Sequence, residues 1–231
     1  MTVTDNPALQ DILTRATLAQ QGETARALKK PQSLKRVLRM AERALDRAEQ
    51  TIAAVSEVLP PPAAIACQAN CPYCCHIRLT ASPPEILLVL NHIRENWDEE
   101  AILALRHKVK NTDAFTRGKS DEERAQMRLP CPLLKDGSCS IHSVRPLSCR
   151  AVVSVNVKAC KQAYSSRMEN GVPMHEPQHL AANAIGYGIY AGLVDSGYGV
   201  ENIEIVAALA DGLTNSDLGR KWLKKQISLP S

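Results

Sequence analysis

Eight cysteines carry the chemistry of this chain, and all of them fall between Cys67 and Cys160. The first group, CQANCPYCC, holds Cys67, Cys71, Cys74 and Cys75, and the second is spread more widely, at Cys131, Cys139, Cys149 and Cys160. Cys71-Pro72-Tyr73-Cys74 is a C-x2-C turn, the spacing at which one tight loop turns two thiolates toward a single metal. Zinc takes four such ligands tetrahedrally, at about 2.3 Å for sulfur. Cys74 and Cys75 are adjacent, and neighbouring side chains diverge. Either one of them points away, or the two serve two metals or two corners of a cluster. The second group lacks the further C-x2-C knuckle of a zinc ribbon. Iron–sulfur clusters draw thiolates from separate loops and accommodate these spacings equally well. Eight thiols match two four-ligand sites, or one site with cysteines to spare, and both readings stay open.

The alternative to a metal is a set of disulfides, and the bulk properties speak against it. A chain of 231 residues can bury a core without covalent staples. Met1 to Gln10 contain no basic run followed by an apolar stretch, so no secretory leader is visible and a cytoplasmic, reducing location is expected. There, closely spaced cysteines are metal ligands or catalysts more often than disulfides. The longest apolar stretch, Leu180 to Val194, is interrupted by Asn183 and falls short of the roughly 18 to 20 residues that span a bilayer, so no membrane partner is expected. The net charge of +4 arises from 28 basic and 24 acidic residues mixed along the chain. With one Phe, two Trp and five Tyr there are few stacking platforms, and no strong nucleic-acid signal.

The pattern C-x2-CC-H at 71–76, TASPPE at 80–85 and C-P-L-L…G-x-C-x-I-H-x-x-R-P-x-x-C-R at 131–150 resembles the YkgJ-like cysteine-cluster family, whose motif is written CxxCxxCC. That family is described by zinc or iron chelation. The resemblance implies metal binding by Cys71, Cys74, Cys75, Cys131, Cys139 and Cys149, with Cys67 and Cys160 at its edges. Three residues, rather than the motif's two, separate Cys67 from Cys71. A similar cluster occurs in flagellin lysine methylases, which raises S-adenosylmethionine chemistry. The chain has no glycine-rich strand-turn-helix unit to hold that cofactor in a Rossmann-type domain, so the activity is not carried over.

The residues between the cysteines have readable roles. Gly137 permits a tight turn between Cys131 and Cys139. Arg145 and Arg150 stand beside thiolates whose collected negative charge needs compensation, and His76 and His142 are expected to support ligands rather than act as ligands. The competing reading of Arg145 is a salt bridge to a surface carboxylate.

These residues need a scaffold, and the periodicity predicts helices. Residues 1–30 give a weak helical signal that Gly22 interrupts. Ser33 heads a stronger helix, with Leu34, Val37, Leu38, Ala41, Leu45, Ala48, Ile52 and Val55 on one face, which Pro60 to Pro62 must end. Arg39, Arg43 and Arg47 form a stripe read as solvated and offset by Glu42 and Asp46. Ser82-Pro83-Pro84-Glu85 is a capping box that starts a helix expected beside the cysteine loop. Further helices are expected at Asp98–Lys110, Ala159–Asn170, Gln178–Asp195, Asn202–Asp211 and Asp217–Gln226, with a polar loop or short helix at 111–128. The run AVVSVNV reads as a short strand or an extended connector. Gly186, Gly188 and Gly192 would let their helix approach its neighbours closely.

His175-Glu176-Pro177-Gln178-His179 satisfies HExxH, the zinc-protease pattern. That chemistry needs both histidines on one continuous helix, and Pro177 opposes a helix already running through His175. The expectation is a helix starting at or after Glu176, with two exposed histidines.

The sequence therefore predicts a mainly α, helical single domain organised around a cysteine-rich metal-binding loop region. Residues 1–62 form an N-terminal helical segment and 63–231 the cysteine-cluster domain with C-terminal helices. The expected cofactor is zinc or iron, with a 4Fe–4S cluster among the forms the thiols allow. The alternative to a binding module is an iron–sulfur enzyme of electron transfer or protein modification such as lysine methylation, with a pocket lined by the helix from Gln178 onward.

Overall fold

The computed structural model describes residues 5–167, 171, 174–199 and 203–229. Helix α1 spans Pro7–Ala27, with the Asn6 side chain accepting from the N–H groups of Ala8 and Leu9 at 3.0 and 3.1 Å. It runs unbroken through Gly22, contrary to the expected interruption. A mid-helix glycine costs only about 1 kcal/mol, which packing recovers. Helix α2, Leu34–Val58, buries Val37, Ala41, Ala44, Leu45, Ala48 and Val55, the face the periodicity predicts. Ser33 stands at its N-cap, but its side chain makes no capping bond; its carbonyl accepts from Arg36 and Val37 instead.

Helix α8, Glu176–Asp195, packs on both. A β-carbon on Gly188 would lie 2.6 Å from the Thr17 carbonyl oxygen, and one on Gly192 2.6 Å from that of Gln21. The expected close approach is thus made by these two glycines against α1, while Gly186 faces open space. A polar seam joins α1 to α2. Arg47 donates to Glu23 at 2.6 Å and also to Gln20, and Arg43 reaches Glu23 at 3.3 Å. Two members of the arginine stripe therefore pair with a neighbouring helix, where the sequence suggested a solvated face. Burial raises the Glu23 carboxyl, but the hydrogen bonds from Arg47 and Arg43 outweigh it and hold the group below the ordinary carboxylate range.

Against this three-helix scaffold lies α3, Pro83–Asn96, whose first turns are buried from Pro83 to Leu90. The capping box forms as predicted: Glu85 accepts from the Ser82 N–H at 2.8 Å and from its hydroxyl at 2.6 Å. Helix α4, Glu99–Thr116, extends past the expected end at Lys110, with the Asp98 side chain accepting from Ala101. The polar run then yields a short helix α5, Asp121–Met127, started by a second capping box between Ser120 and Glu123. Two five- to nine-residue helices follow, α6 at Leu147–Ala151 and α7 at Val157–Ser165. The run between them is an extended connector; the expected end of α7 at Asn170 lies outside the described residues.

Helices α9, Ile205–Gly212, and α10, Leu218–Leu223, close the fold; the expected α9 start at Asn202 lies outside the described residues. α9 packs on α3 and α4. The architecture is mainly helical, as expected, with ten α-helices among the described residues. Two antiparallel ribbons complete it. Thr80–Ala81 (β1) pairs with Ile203–Glu204 (β4), and Leu134–Lys135 (β2) pairs with Ser138–Cys139 (β3). Strands of two residues carry no periodicity, so the β1–β4 pairing was invisible in the sequence. Neither ribbon is parallel. No helix among the described residues is long and apolar enough to cross a membrane.

Candidate metal centre

The first cysteine segment has almost no regular structure of its own. A single 3-10 turn, Tyr73–His76, carries Cys74 and Cys75. Pro72 opens it by fixing φ and contributing no N–H, and the Cys75 N–H closes it onto the Pro72 carbonyl at 2.9 Å. The rest of the loop is held by bonds to distant parts of the chain. The Ala66 N–H donates to the Ser154 carbonyl at 2.8 Å, and the Ser154 N–H points at the Cys67 sulfur at 3.4 Å. The Asn70 N–H donates to the Ser138 hydroxyl, which donates back to the Asn70 side chain at 3.1 Å. The Cys131 N–H donates to the Cys75 carbonyl at 2.7 Å.

The second segment supplies its thiols from three different elements. Cys139 sits on the β2–β3 hairpin, whose turn residues Asp136 and Gly137 have φ of 50° and 76°. Both central residues are left-handed, as an Asp-Gly hairpin turn requires, so the tight turn expected at Gly137 is present. Cys149 lies within α6, positioned by Glu85, whose second oxygen accepts from the Leu147 N–H at 2.8 Å. The α3 capping box therefore also anchors a cysteine helix, which realises the expected proximity of α3 to the cysteines.

Cys67, Cys71, Cys74, Cys75, Cys131, Cys139 and Cys149 line one cavity of about 670 Å³. Cys160 is buried on α7 and is not part of the lining. It acts electrostatically on Cys67 and Cys71, as Cys74 does, while Cys149 feels Cys131, Cys139 and Cys74. Cys74 is the member common to both groups. Its thiol is hydrogen-bonded to that of Cys75 and both side chains line the cavity, so neither points away.

The electrostatics are those of thiols crowded together and shielded from water. Burial raises Cys67, Cys71, Cys139 and Cys149, and pushes Cys131 up to about 11. The hydrogen bond with Cys75, and then burial, raise Cys74. One charged side chain opposes this trend at four of the thiols. The positive charge of Arg145, on the cavity wall, favours the ionised forms of Cys67, Cys74, Cys139 and Cys149. Arg145 pairs with no carboxylate among the described residues; its Nη1 donates to His142 Nε2 at 2.6 Å and holds that ring below its ordinary pKa.

The other expected supporting residues divide. His142 lines the cavity. His76 does not; its ring meets Tyr164 edge-on at 4.7 Å, and its Nδ1 lies 3.1 Å from the Pro72 carbonyl. Arg150 faces the backbone, donating to the carbonyls of Arg145 at 3.1 Å and Ser143 at 2.8 Å, and pairs with Glu49 of α2. It fixes the 143–150 segment to the scaffold rather than facing thiols. Of α8, Gln178 alone reaches the lining. Arg124 and Glu204, a buried ion pair at 3.3 Å, are on the wall although nothing in their spacing marked them.

The HExxH residues form no zinc site. Helix α8 begins at Glu176 with His175 as its N-cap and Pro177 in the first turn, as the proline requires. His175 is buried rather than exposed, its N–H donating to the Val153 carbonyl at 2.6 Å, and His179 is half-buried beside Asn183.

The donor set, seven sulfurs around one cavity with a guanidinium beside them, fits thiophilic metal chemistry. Among the described residues no three Cys, His, Asp or Glu side chains converge on a position for one ion; the thiols are distributed around the cavity. In comparison with known families, residues 66–170 match the model CxxCxxCC, "Putative zinc- or iron-chelating domain", which bears out the resemblance read from the cysteine spacing. No curated protein and no solved structure showed significant similarity to the chain.

Proposed function

We propose that the cavity holds a thiolate-ligated iron–sulfur centre, the finer form of the zinc- or iron-chelating character that the match over residues 66–170 conveys. One observation carries this reading: seven thiols drawn from separate segments, adjacent Cys74 and Cys75 among them, line a single cavity of about 670 Å³. A tetrahedral zinc ion needs four sulfurs within about 2.3 Å of one centre. A cluster presents several irons at separate corners and takes its thiolates from separate loops, which also gives adjacent Cys74 and Cys75 distinct corners to serve.

The candidate ligands are Cys67, Cys71, Cys74, Cys75, Cys131, Cys139 and Cys149. Cys160, outside the lining, acts on Cys67 and Cys71 electrostatically. Arg145 balances the charge of the thiolates, and His142 holds its guanidinium in place. When bound, such a centre supplies reversible electron transfer. We take residues 63–231 as the unit that forms it, with α1 and α2 as the scaffold for α8.

Elemental analysis and a visible absorption spectrum on protein purified without oxygen test the proposal. Iron and acid-labile sulfide in comparable amounts, with a broad visible band, are expected. A colourless protein with stoichiometric zinc would overturn the cluster and leave a structural or interaction module in its place.

A further inference from the structure

The cavity is larger than a metal centre needs, and part of its wall has a chemistry different from that of the thiols. Its volume of about 670 Å³ lies in the range of small-molecule sites. The same lining includes apolar side chains, among them Ile77, Leu79, Leu129, Ile205 and Val206, while the Glu204 charge is also felt by Cys131. Leu79, Ile205 and Val206 are brought to Glu204 by the β1–β4 ribbon, in which Thr80 pairs with Glu204 and the Ile205 N–H donates to the Leu79 carbonyl.

The two charges of this pair are not equivalently satisfied. Glu204 is held from two sides, its Oε2 accepting from the Ala207 N–H at 2.8 Å as the cap of α9 and its Oε1 taking Arg124. Arg124 has one bond, from Nη1 at 3.3 Å, and among the described residues its guanidinium has no second hydrogen-bond partner. Yet its side chain is only 6% exposed and lines the cavity. None of its other nitrogens is sealed without a partner, so they open to the cavity, where the fixed fork of a guanidinium is shaped to take a carboxylate.

We propose that this end of the cavity binds a small organic carboxylate with an apolar body, its carboxylate on the open edge of Arg124 and its body against Leu79, Leu129 and Ile205. The inference rests on the cavity being the site of the metal centre, and it places a second molecule beside that centre. A monoanion fits better than a phosphate. Arg124 already shares its charge with Glu204, so a dianion would be left undercompensated, and the apolar walls offer a phosphate no further donors.

Octanoate, 1-octanol and octylamine, which share a body and differ in the head group, are suitable probes for equilibrium dialysis against the metal-loaded protein. Octanoate should bind about tenfold or more tightly than octanol, the discrimination that a charge-assisted hydrogen bond supplies. In the double variant Arg124→Gln, Glu204→Gln, which removes both charges together and leaves neither buried alone, that preference should vanish while octanol binding and metal content stay unchanged. Equal binding of octanoate and octanol by the wild type would overturn the proposal, whether or not the double variant folds. So would a preference for octanoate that survives in the double variant. Metal content measured on the same samples separates the two readings: a loaded protein without discrimination loses the carboxylate site alone, and a metal-free protein that discriminates loses the centre alone.

Discussion

The backbone N–H of Cys131 donates to the carbonyl of Cys75 at 2.7 Å, joining the last cysteine of the first group to the first cysteine of the second. Two segments separated by three helices thereby share one cavity wall. The bond uses main-chain atoms only, so it survives substitution of either side chain. Replacing Cys74, Cys75 or Cys131 by alanine should therefore leave the fold standing and remove most of the bound metal in each case. Cys160→Ala, outside the lining, should retain it. Metal content of the four purified variants decides this, and full loading in both the Cys74 and Cys75 variants would remove the centre from the cavity.

Arg145 should matter to metal affinity without touching stability greatly. Arg145→Gln removes a positive charge that favours ionised Cys67, Cys74, Cys139 and Cys149. Metal affinity should fall by about 10- to 100-fold, as for other groups that support ligands, measured by competition with a chelator. Arg145→Lys keeps the charge and should recover part of the loss.

The raised thiols give the metal-free protein a defined pH response. Cys131 holds its proton up to about pH 11 in the folded chain, whereas an unfolded thiol releases it near 9. Between those values the unfolded chain ionises first, so the folded metal-free protein loses stability as pH rises. Urea midpoints should fall from pH 8 to pH 10.5 in metal-free protein. Loaded protein, whose thiols have already given up their protons, should not show this loss, and loading at pH 7.5 should release protons to the solvent.

Glu85 accepts three hydrogen bonds while buried, two from Ser82 and one from Leu147. Glu85→Ala should cost about 3 kcal/mol, the scale for unpairing buried donors from a charged acceptor. Because the third bond seats α6, the same variant should also weaken metal retention through Cys149. Thermal melts with and without metal test both halves.

The α1–α8 contact predicts opposite outcomes for neighbouring glycines. A β-carbon at Gly188 or Gly192 would meet α1 backbone oxygens at 2.6 Å, so alanine there should destabilise by about 1–3 kcal/mol. Gly186→Ala meets nothing within 4 Å and should be neutral or stabilising by up to about 1 kcal/mol. Denaturant unfolding of the three variants is the check.

Long helices and their start signals were legible because they repeat or obey local rules. The apolar face of α2, the capping box at Ser82–Glu85 and the displacement of His175 by Pro177 all follow from neighbouring residues. The C-x2-CC motif likewise marked the zinc- or iron-chelating family that residues 66–170 match. Legibility ended where an interaction spans the chain. Nothing near Arg124 signals Glu204, and nothing near Asn70 signals Ser138, because hydrogen bonds across such separations leave no periodicity. Gly22 misled for the same reason: local propensity opposed the helix, and the surfaces of α2 and α8 outweighed it. Proximity in sequence to cysteines suggests supporting roles for Arg150 and His76, but their partners, Glu49 and Tyr164, lie on helices that spacing alone does not bring near.

The cavity wall begins at Ile65 and is not complete until Val206 is in place. Cysteines that leave the ribosome early thus have no enclosure when they emerge; Cys67 to Cys75 must wait for the hairpin, α6 and finally the ribbon strand at Ile203–Glu204. The enclosure that the proposed centre needs is therefore complete only on a nearly finished fold, once residues as far apart as Ile65 and Val206 have met.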